Sequence, residues 1–448
     1  MFELLFVCLF ILFLLSFYIS GGDIFSPPVL VTLGFLVSVI FASFFKYGSW
    51  WSGNISSDTV TIYLIGVVSF LIGYYIVCRK VNYKKNQIVL AYIHVNNIYL
   101  YLFIFLAILS TLLNLYYIIK IVGTSGGWTS IMMRYRIATL YAEANATESI
   151  RLPGFLGTAK MLVQAGGYVF VYILANNRIA NPAKKNTLLF LTVIISLLST
   201  ATTAQRLDLI RMPVAYMAIQ YLLKRKSGKL SKKVNGKLCF QYCIIIFIVI
   251  EMFANLKGIF GRSSSTETPI EYLARYIGGP ILLFNDFLNN PTYHNSLFGK
   301  ETFWGIYDFL NKITGNDIYK YTYGLEFRNI EGKKIGNVYS AFRMYYSDFG
   351  TIGVLILSSL LGIIFGLLYK RIIKEGHKSY PYRIKIGRFA VRSNIISSLL
   401  IYSVIIHACL LLFYQDWFYA YILTWYQIKM FIFMFLFKWV IVDKGVKL

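Results

Sequence analysis

Ionisable side chains are sparse in this chain, and those that border or interrupt its apolar runs are where chemistry is expected. Arg206 and Arg211 open one apolar stretch with Asp208 between them, and Glu251 lies inside the next. Arg262 and Arg275 follow, and Arg343 precedes a further stretch. A charge within a membrane-length run is costly, so it marks either a site or a buried pair. Arginine suits a multiply charged anion, because its planar fork binds phosphate oxygens two at a time. These residues therefore suggest a clamp for a phosphorylated ligand near a bilayer surface. Ordinary readings stand beside it. Arg211 can pair with Glu251, while Arg206 and Asp208 cap a short hairpin. Arg275 can pair with Glu271 one helical turn away, and Asp348 suits a helix N-terminus.

Other chemistries lack their motifs. There is no P-loop, no Asp-x-Asp and no His/Cys/Asp/Glu cluster at metal-ligand spacing. Of His94, His294, His377 and His407, only His294 falls in a long polar segment on the outer side. The five cysteines, Cys8, Cys78, Cys239, Cys243 and Cys409, sit in or beside apolar runs and suggest no disulfide framework.

The elements that must position these residues are set by composition. Of 448 residues, 57% are hydrophobic and only 14% charged. A soluble domain carries about 25% charged residues, so the chain reads as an all-α polytopic membrane protein. Runs of about 20 apolar residues span a bilayer. Eleven fit: 2–19, 26–45, 59–78, 98–121, 154–175, 186–203, 205–223, 238–257, 349–370, 394–414 and 417–441. The first lacks an early Lys or Arg and a cleavage site, and reads as a retained span rather than a signal peptide.

The net charge of +25 is explained by sidedness. Arg79–Lys85, Arg178–Lys185, Lys224–Lys237, Lys370–Arg392 and Lys438–Lys447 follow alternate spans. Together they hold 25 of the 44 Lys and Arg with only Glu375 and Asp443 as acids. By the positive-inside rule these segments are cytoplasmic, and so is the C-terminus. Anionic lipid, not nucleic acid, is the expected partner of this charge. Residues 122–153 and 258–348 then lie outside, and three regions follow: a bundle over 1–257, the large extracytoplasmic loop 258–348, and a bundle over 349–448.

Within the large loop, Thr268-Pro269-Ile270-Glu271 reads as a capping box with proline at the first helical position. The helix it starts is interrupted by Gly278-Gly279-Pro280, and a second short helix is expected over 302–313. In the smaller loop, 131–137 reads as an interfacial helix. There Arg134 and Arg136 point to nearly opposite faces, so at most one meets a buried site.

The stretch 336–350 (GNVYSAFRMYYSDFG), with Gly353 and a Gly362-x-x-x-Gly366 span, resembles the oligosaccharide repeat unit polymerases of bacterial envelopes. Tyr276-Ile277-Gly278-Gly279-Pro280 and Gln205-Arg206-Leu207-Asp208 resemble the same family, as does the layout of many spans with one late outer loop. The resemblance is closest over about 272–366. It implies a metal-independent glycosyltransferase of the cytoplasmic (inner) membrane acting in O-antigen, lipopolysaccharide or capsule biosynthesis. A glycan on undecaprenyl pyrophosphate is moved onto a new lipid-linked repeat unit, and undecaprenyl pyrophosphate leaves. No cofactor is implied, and a chain-length regulator is implied as a partner. The departing pyrophosphate needs cations: Arg136, Arg206, Arg211 and Arg262, then Arg275 and Arg343. The attacking hydroxyl calls for a base, for which Asp286, Asp348, Glu251 and His294 compete. Asn337, Tyr339 and Tyr345 are candidates to hold sugar. An O-antigen ligase shares the donor and stays open. A flippase or transporter, and a sugar acyltransferase, fit the placement of the charges and the low histidine count less well.

Overall fold

In a bilayer every backbone polar group must be satisfied within its own segment, which makes long apolar runs helical. The computed structural model describes residues 1–48, 53–78, 87–140, 153–200, 207–230, 241, 242, 244, 268–292, 297–319, 325–375, 382–386, 389–393 and 395–447. The first helices are α1 (Phe2–Ile19), α2 (Pro27–Tyr47), α3 (Ser57–Val77) and α4 (Asn97–Val122). Then come α5 (Trp128–Leu140), α6 (Gly154–Ala180), α7 (Thr187–Thr200) and α8 (Leu207–Lys226). The helices α9 (Pro269–Ile277), α10 (Gly279–Asn289) and α11 (Trp304–Thr314) precede a hairpin of β1 (Arg328–Ile330) and β2 (Lys333–Gly336). Next are α12 (Ala341–Lys374), β3 (Tyr382–Ile386), β4 (Phe389–Ser393), α13 (Ser397–Ile405), α14 (His407–Leu410), α15 (Trp425–Ile441) and β5 (Lys444–Lys447).

Among the described residues, six helices are long and apolar enough to cross a membrane: α1, α2, α3, α4, α6 and α12. Their starts follow local chemistry. Pro27 and Pro28 open α2. Ser56 caps α3 by accepting from the Thr59 amide, and Asn96 caps α4 by accepting from Ile98. The capping box of Thr268 and Glu271 forms as the sequence suggests. The α5 and α11 helices also fall where short amphipathic helices are expected.

Two expectations need correction. The segment 394–414 is not one span but α13, a single turn of α14, and then turns. The last helix starts at Trp425 rather than 417, because the buried Asp416 carboxylate accepts the Phe418, Tyr419 and Ala420 amides and winds the chain into a turn. The all-α reading holds for the frame, to which two small antiparallel sheets are added, β1–β2 and β3–β4–β5. The second sheet pairs the basic 382–393 segment with the basic tail, two stretches expected on the same side of the membrane. The span expected at 238–257 lies almost wholly outside the described residues.

The chain forms two compact units, each from three segments. The first holds residues 1–82, 267–373 and 405–428; the second holds 83–266, 374–404 and 429–448. In the first unit α3 and α12 touch backbone to backbone. A Cβ on Gly73 would lie 2.1 Å from the Ser359 carbonyl oxygen, and one on Gly362 would lie 2.1 Å from that of Phe70. The Gly362-x-x-x-Gly366 spacing thus serves packing within the chain. A left-handed Gly350 breaks α12 after its first turns, so 341–349 forms a short cap above the membrane-length part.

Candidate charged site of the first unit

Beneath the site is a layer of aromatic rings. Phe35 stacks on Phe342 at 5.0 Å, and Tyr63 meets both rings and Phe284. Gly66 leaves room for Phe342, since a Cβ there would come within 2.3 Å of the ring. This packing fixes the start of α12 against α2, α3 and α10, and so places Arg343.

Arg343 is fully buried. Its guanidinium pairs with Glu301 and, at 3.1 Å, with Glu326. It lies over the Phe287 ring at 4.2 Å. Arg328 at the start of β1 forms a second node, pairing with Asp286 at 2.8 Å and Glu326 at 3.0 Å. Arg328 also donates to the Asp286 and Asn290 carbonyl oxygens and to Thr292 Oγ1. Thr292 in turn donates to Glu326 Oε1 at 2.7 Å. Phe287 lies within cation–π reach of both guanidinium groups. Glu326 bridges the two arginines, which joins α10, the segment before α11, the β1–β2 hairpin and α12.

Asp348 holds the strap 297–303 down. Its carboxylate accepts the Glu301 amide at 3.4 Å and the Thr302 amide at 2.7 Å. The Phe349 ring packs tilted against Phe298 at 4.8 Å, and the Tyr307 hydroxyl donates to the Phe298 carbonyl oxygen at 2.5 Å.

The electrostatics follow from crowding. Burial pushes the Glu301 carboxyl up to about 7; Arg343 opposes the rise, and the neighbouring Asp348 and Glu326 add to it. Burial would also raise Glu326, but Arg343, Thr292 and Arg328 outweigh it and hold this carboxyl down at about 2. Formally, two arginines face the four carboxylates Asp286, Glu301, Glu326 and Asp348. The cluster is acid-rich, and its open side presents Asp286, with 30% of its side chain exposed, and Glu326, with 19%.

The residues singled out from the sequence divide clearly. Asp286, Arg343, Asp348 and Tyr339 meet in this cluster. Tyr339 is buried, and its hydroxyl donates to the Glu326 carbonyl oxygen at 3.0 Å. Tyr345 is likewise buried, its ring packed on Phe342 and Tyr419. Both tyrosines thus serve packing, and only the half-buried Asn337 of the three keeps an open side. Arg343 has its charge met by two carboxylates, which leaves it as an organiser rather than an anion binder. Arg275 lies over the Tyr272 and Tyr276 rings at 5.3 and 5.1 Å, while Glu271 is taken up by its capping box. In the second unit Arg136 is buried in α5 and Arg211 is half-buried in α8. Arg134, on the opposite face of α5, caps the end of α4 through the Val122, Gly123 and Ser125 carbonyl oxygens. Arg206, Glu251, Arg262 and His294 lie outside the described residues.

Glu301, Glu326, Arg328 and Thr292 were not singled out from the sequence. One signal was present. Glu331-Gly332, both at positive φ, is a hairpin turn, and Leu325, Phe327 and Arg328 flank it in a short extended run. The chain matches no protein-family model, no curated protein and no solved structure.

Proposed function

We propose that this protein is a membrane glycosyltransferase that polymerises oligosaccharide repeat units carried on undecaprenyl pyrophosphate, at the outer face of the bacterial cytoplasmic membrane. One observation carries the reading: the stretch that resembles the polymerases, 336–350, supplies Tyr339, Arg343 and Asp348 to a buried charge cluster with a half-open carboxylate face. Such a face suits a sugar hydroxyl, which a carboxylate can bind and deprotonate. It does not suit a pyrophosphate, which four carboxylates would repel. The cluster is therefore assigned to the acceptor glycan, with Asp286 as the base. Arg328 orients Asp286, because one planar guanidinium fixes both Asp286 and Glu326. For the leaving pyrophosphate, Arg136, Arg206, Arg211 and Arg262 are the cations to vary.

The test is the size distribution of surface glycan, with its lipid-carrier intermediates, in cells lacking this protein. The proposal expects glycan of a single repeat unit and no ladder. Long glycan retained on the lipid carrier would make the protein a ligase instead. Single repeats held on the cytoplasmic side would make it a flippase.

A further inference from the structure

The helix α11 is too short to span a bilayer, yet it turns apolar residues outward. Ile306, Leu310 and Ile313 follow one another at i, i+4 and i+7 and so share one face. Ile306 is 38% exposed and Ile313 65%. Asp308 and Lys312, which pair with each other, lie on the opposite face.

Two ties fix the height of this helix. The first runs to the start of α15. The Phe309 ring lies tilted at 5.2 Å from Trp425, and a Cβ on Gly305 would come within 2.7 Å of the Ala420 carbonyl oxygen. Trp425 and Tyr426 are themselves exposed, as aromatic residues are at a bilayer interface. The second tie runs to α12. The Tyr307 hydroxyl donates to the Phe298 carbonyl oxygen, and the Phe298 ring packs against Phe349, the residue before the Gly350 break. Just beyond that break, the membrane-length part of α12 turns Ile352 outward, 71% exposed. Both ties set α11 at the level where the lipid-facing surface begins.

We infer that α11 is an interfacial helix, with its Ile306–Leu310–Ile313 face seated among the upper acyl chains of the phospholipid leaflet on its side of the membrane. A helix with one apolar and one charged face lies in the plane of the interface. Isoleucine offers a glycan neither a hydrogen bond nor a ring to stack on. A protein partner would have to displace the lipid that meets Ile352 and Trp425 beside it. The helix continues from the strap that brings Glu301 to Arg343, so it holds the charged cluster at the bilayer surface. This placement does not depend on which reaction the cluster serves.

The test uses the full-length protein in vesicles of phosphatidylethanolamine and phosphatidylglycerol. In one sample a fraction of the lipid bears a diazirine on the acyl chain next to the ester. In a parallel sample an X-ray pulse makes hydroxyl radicals in the water on both sides. Modified residues are mapped by mass spectrometry. Lipid label is expected on Ile306, Leu310 and Ile313 at the level found on Ile352. Radical oxidation is expected on the exposed hairpin turn 329–333 and not on the two isoleucines. The double variant Ile306→Asp/Ile313→Asp puts charges on the lipid side and is expected to lose the α11 label. Label persisting on Ile352 shows that this variant is still inserted. Lys312→Gln is expected to change neither. Three results would overturn the inference. Oxidation of Ile306 and Ile313 without lipid label would leave the face in water. Neither modification would mean that another protein covers it. Full α11 label in the double aspartate variant would mean that this face is not the one in contact.

Discussion

Each unit of this protein buries a charge cluster, and the two solve the same problem differently. In the first, Arg343 and Arg328 each span two carboxylates, and Glu326 joins them. In the second, the buried Lys226 donates to the Glu375 carbonyl oxygen at 2.9 Å, and the Glu375 carboxylate is used separately to cap α13 through the Ser397 and Ser398 amides. A guanidinium is a flat fork that draws two acids together, whereas an ammonium is a point charge that can end on a carbonyl. The arginine cluster therefore holds several carboxylates together, and one of them, Glu301, is pushed up to about 7 by its burial and, to a lesser extent, by Asp348 and Glu326. The lysine cluster fastens a helix start, and the arginine cluster also makes a reactive surface.

The contrast breaks most visibly at Arg343. Arg343→Ala leaves Glu301 and Glu326 buried without their cation, and breaking such a pair costs about 3–5 kcal/mol. The variant is expected to be lost from membranes, or to melt far below the wild type in detergent; an unchanged melting midpoint would remove Arg343 from the centre of the cluster. Arg328→Lys keeps the charge and loses the fork, so a smaller loss of about 1.5–3 kcal/mol is expected from its charged hydrogen bonds. Full glycan ladders at normal protein levels in that variant would mean that charge alone suffices.

A third test sharpens the comparison by pH. Glu301 rises from 4.5 to about 7 on folding, so the folded protein holds more protons across that window and loses stability as pH rises through it. Glu326 falls from 4.5 to about 2, so its contribution is lost as pH drops through that lower range. Glu301→Gln is expected to flatten the upper limb of the melting-midpoint profile and to leave the lower one. The smallest effect is expected at Lys226→Met, since replacing a buried charge with an apolar side chain of similar length is often neutral or mildly stabilising. A collapse like that of Arg343→Ala would show that the two clusters are alike after all.

Much of the helical frame was readable because it depends on local chemistry. Apolar run length marks α1 within the bounds expected, and Thr268 with Glu271 announces α9 three residues apart. The unreadable parts depend on distant partners. Arg343 meets Glu301 across 42 positions, and Arg328 meets Asp286 across the same separation. Nothing in a one-dimensional pattern says that these arginines would be spent on carboxylates rather than on an anion. The break before α15 was missed because Asp416 looks like an ordinary polar residue between two spans, and its effect comes from accepting three successive amides. Among the described residues that the resemblance points to, Asp286 combines membership of the cluster with a side chain 30% exposed.

That residue gives the most direct test of the central claim. Purified full-length protein in vesicles would be supplied with lipid-linked repeat units, and chain growth followed by gel for wild type and Asp286→Asn at matched melting midpoints. A ladder is expected for the wild type, and for the variant a rate lower by roughly a hundredfold or more, the loss that follows a missing general base. A ladder of normal rate and length from Asp286→Asn would contradict it.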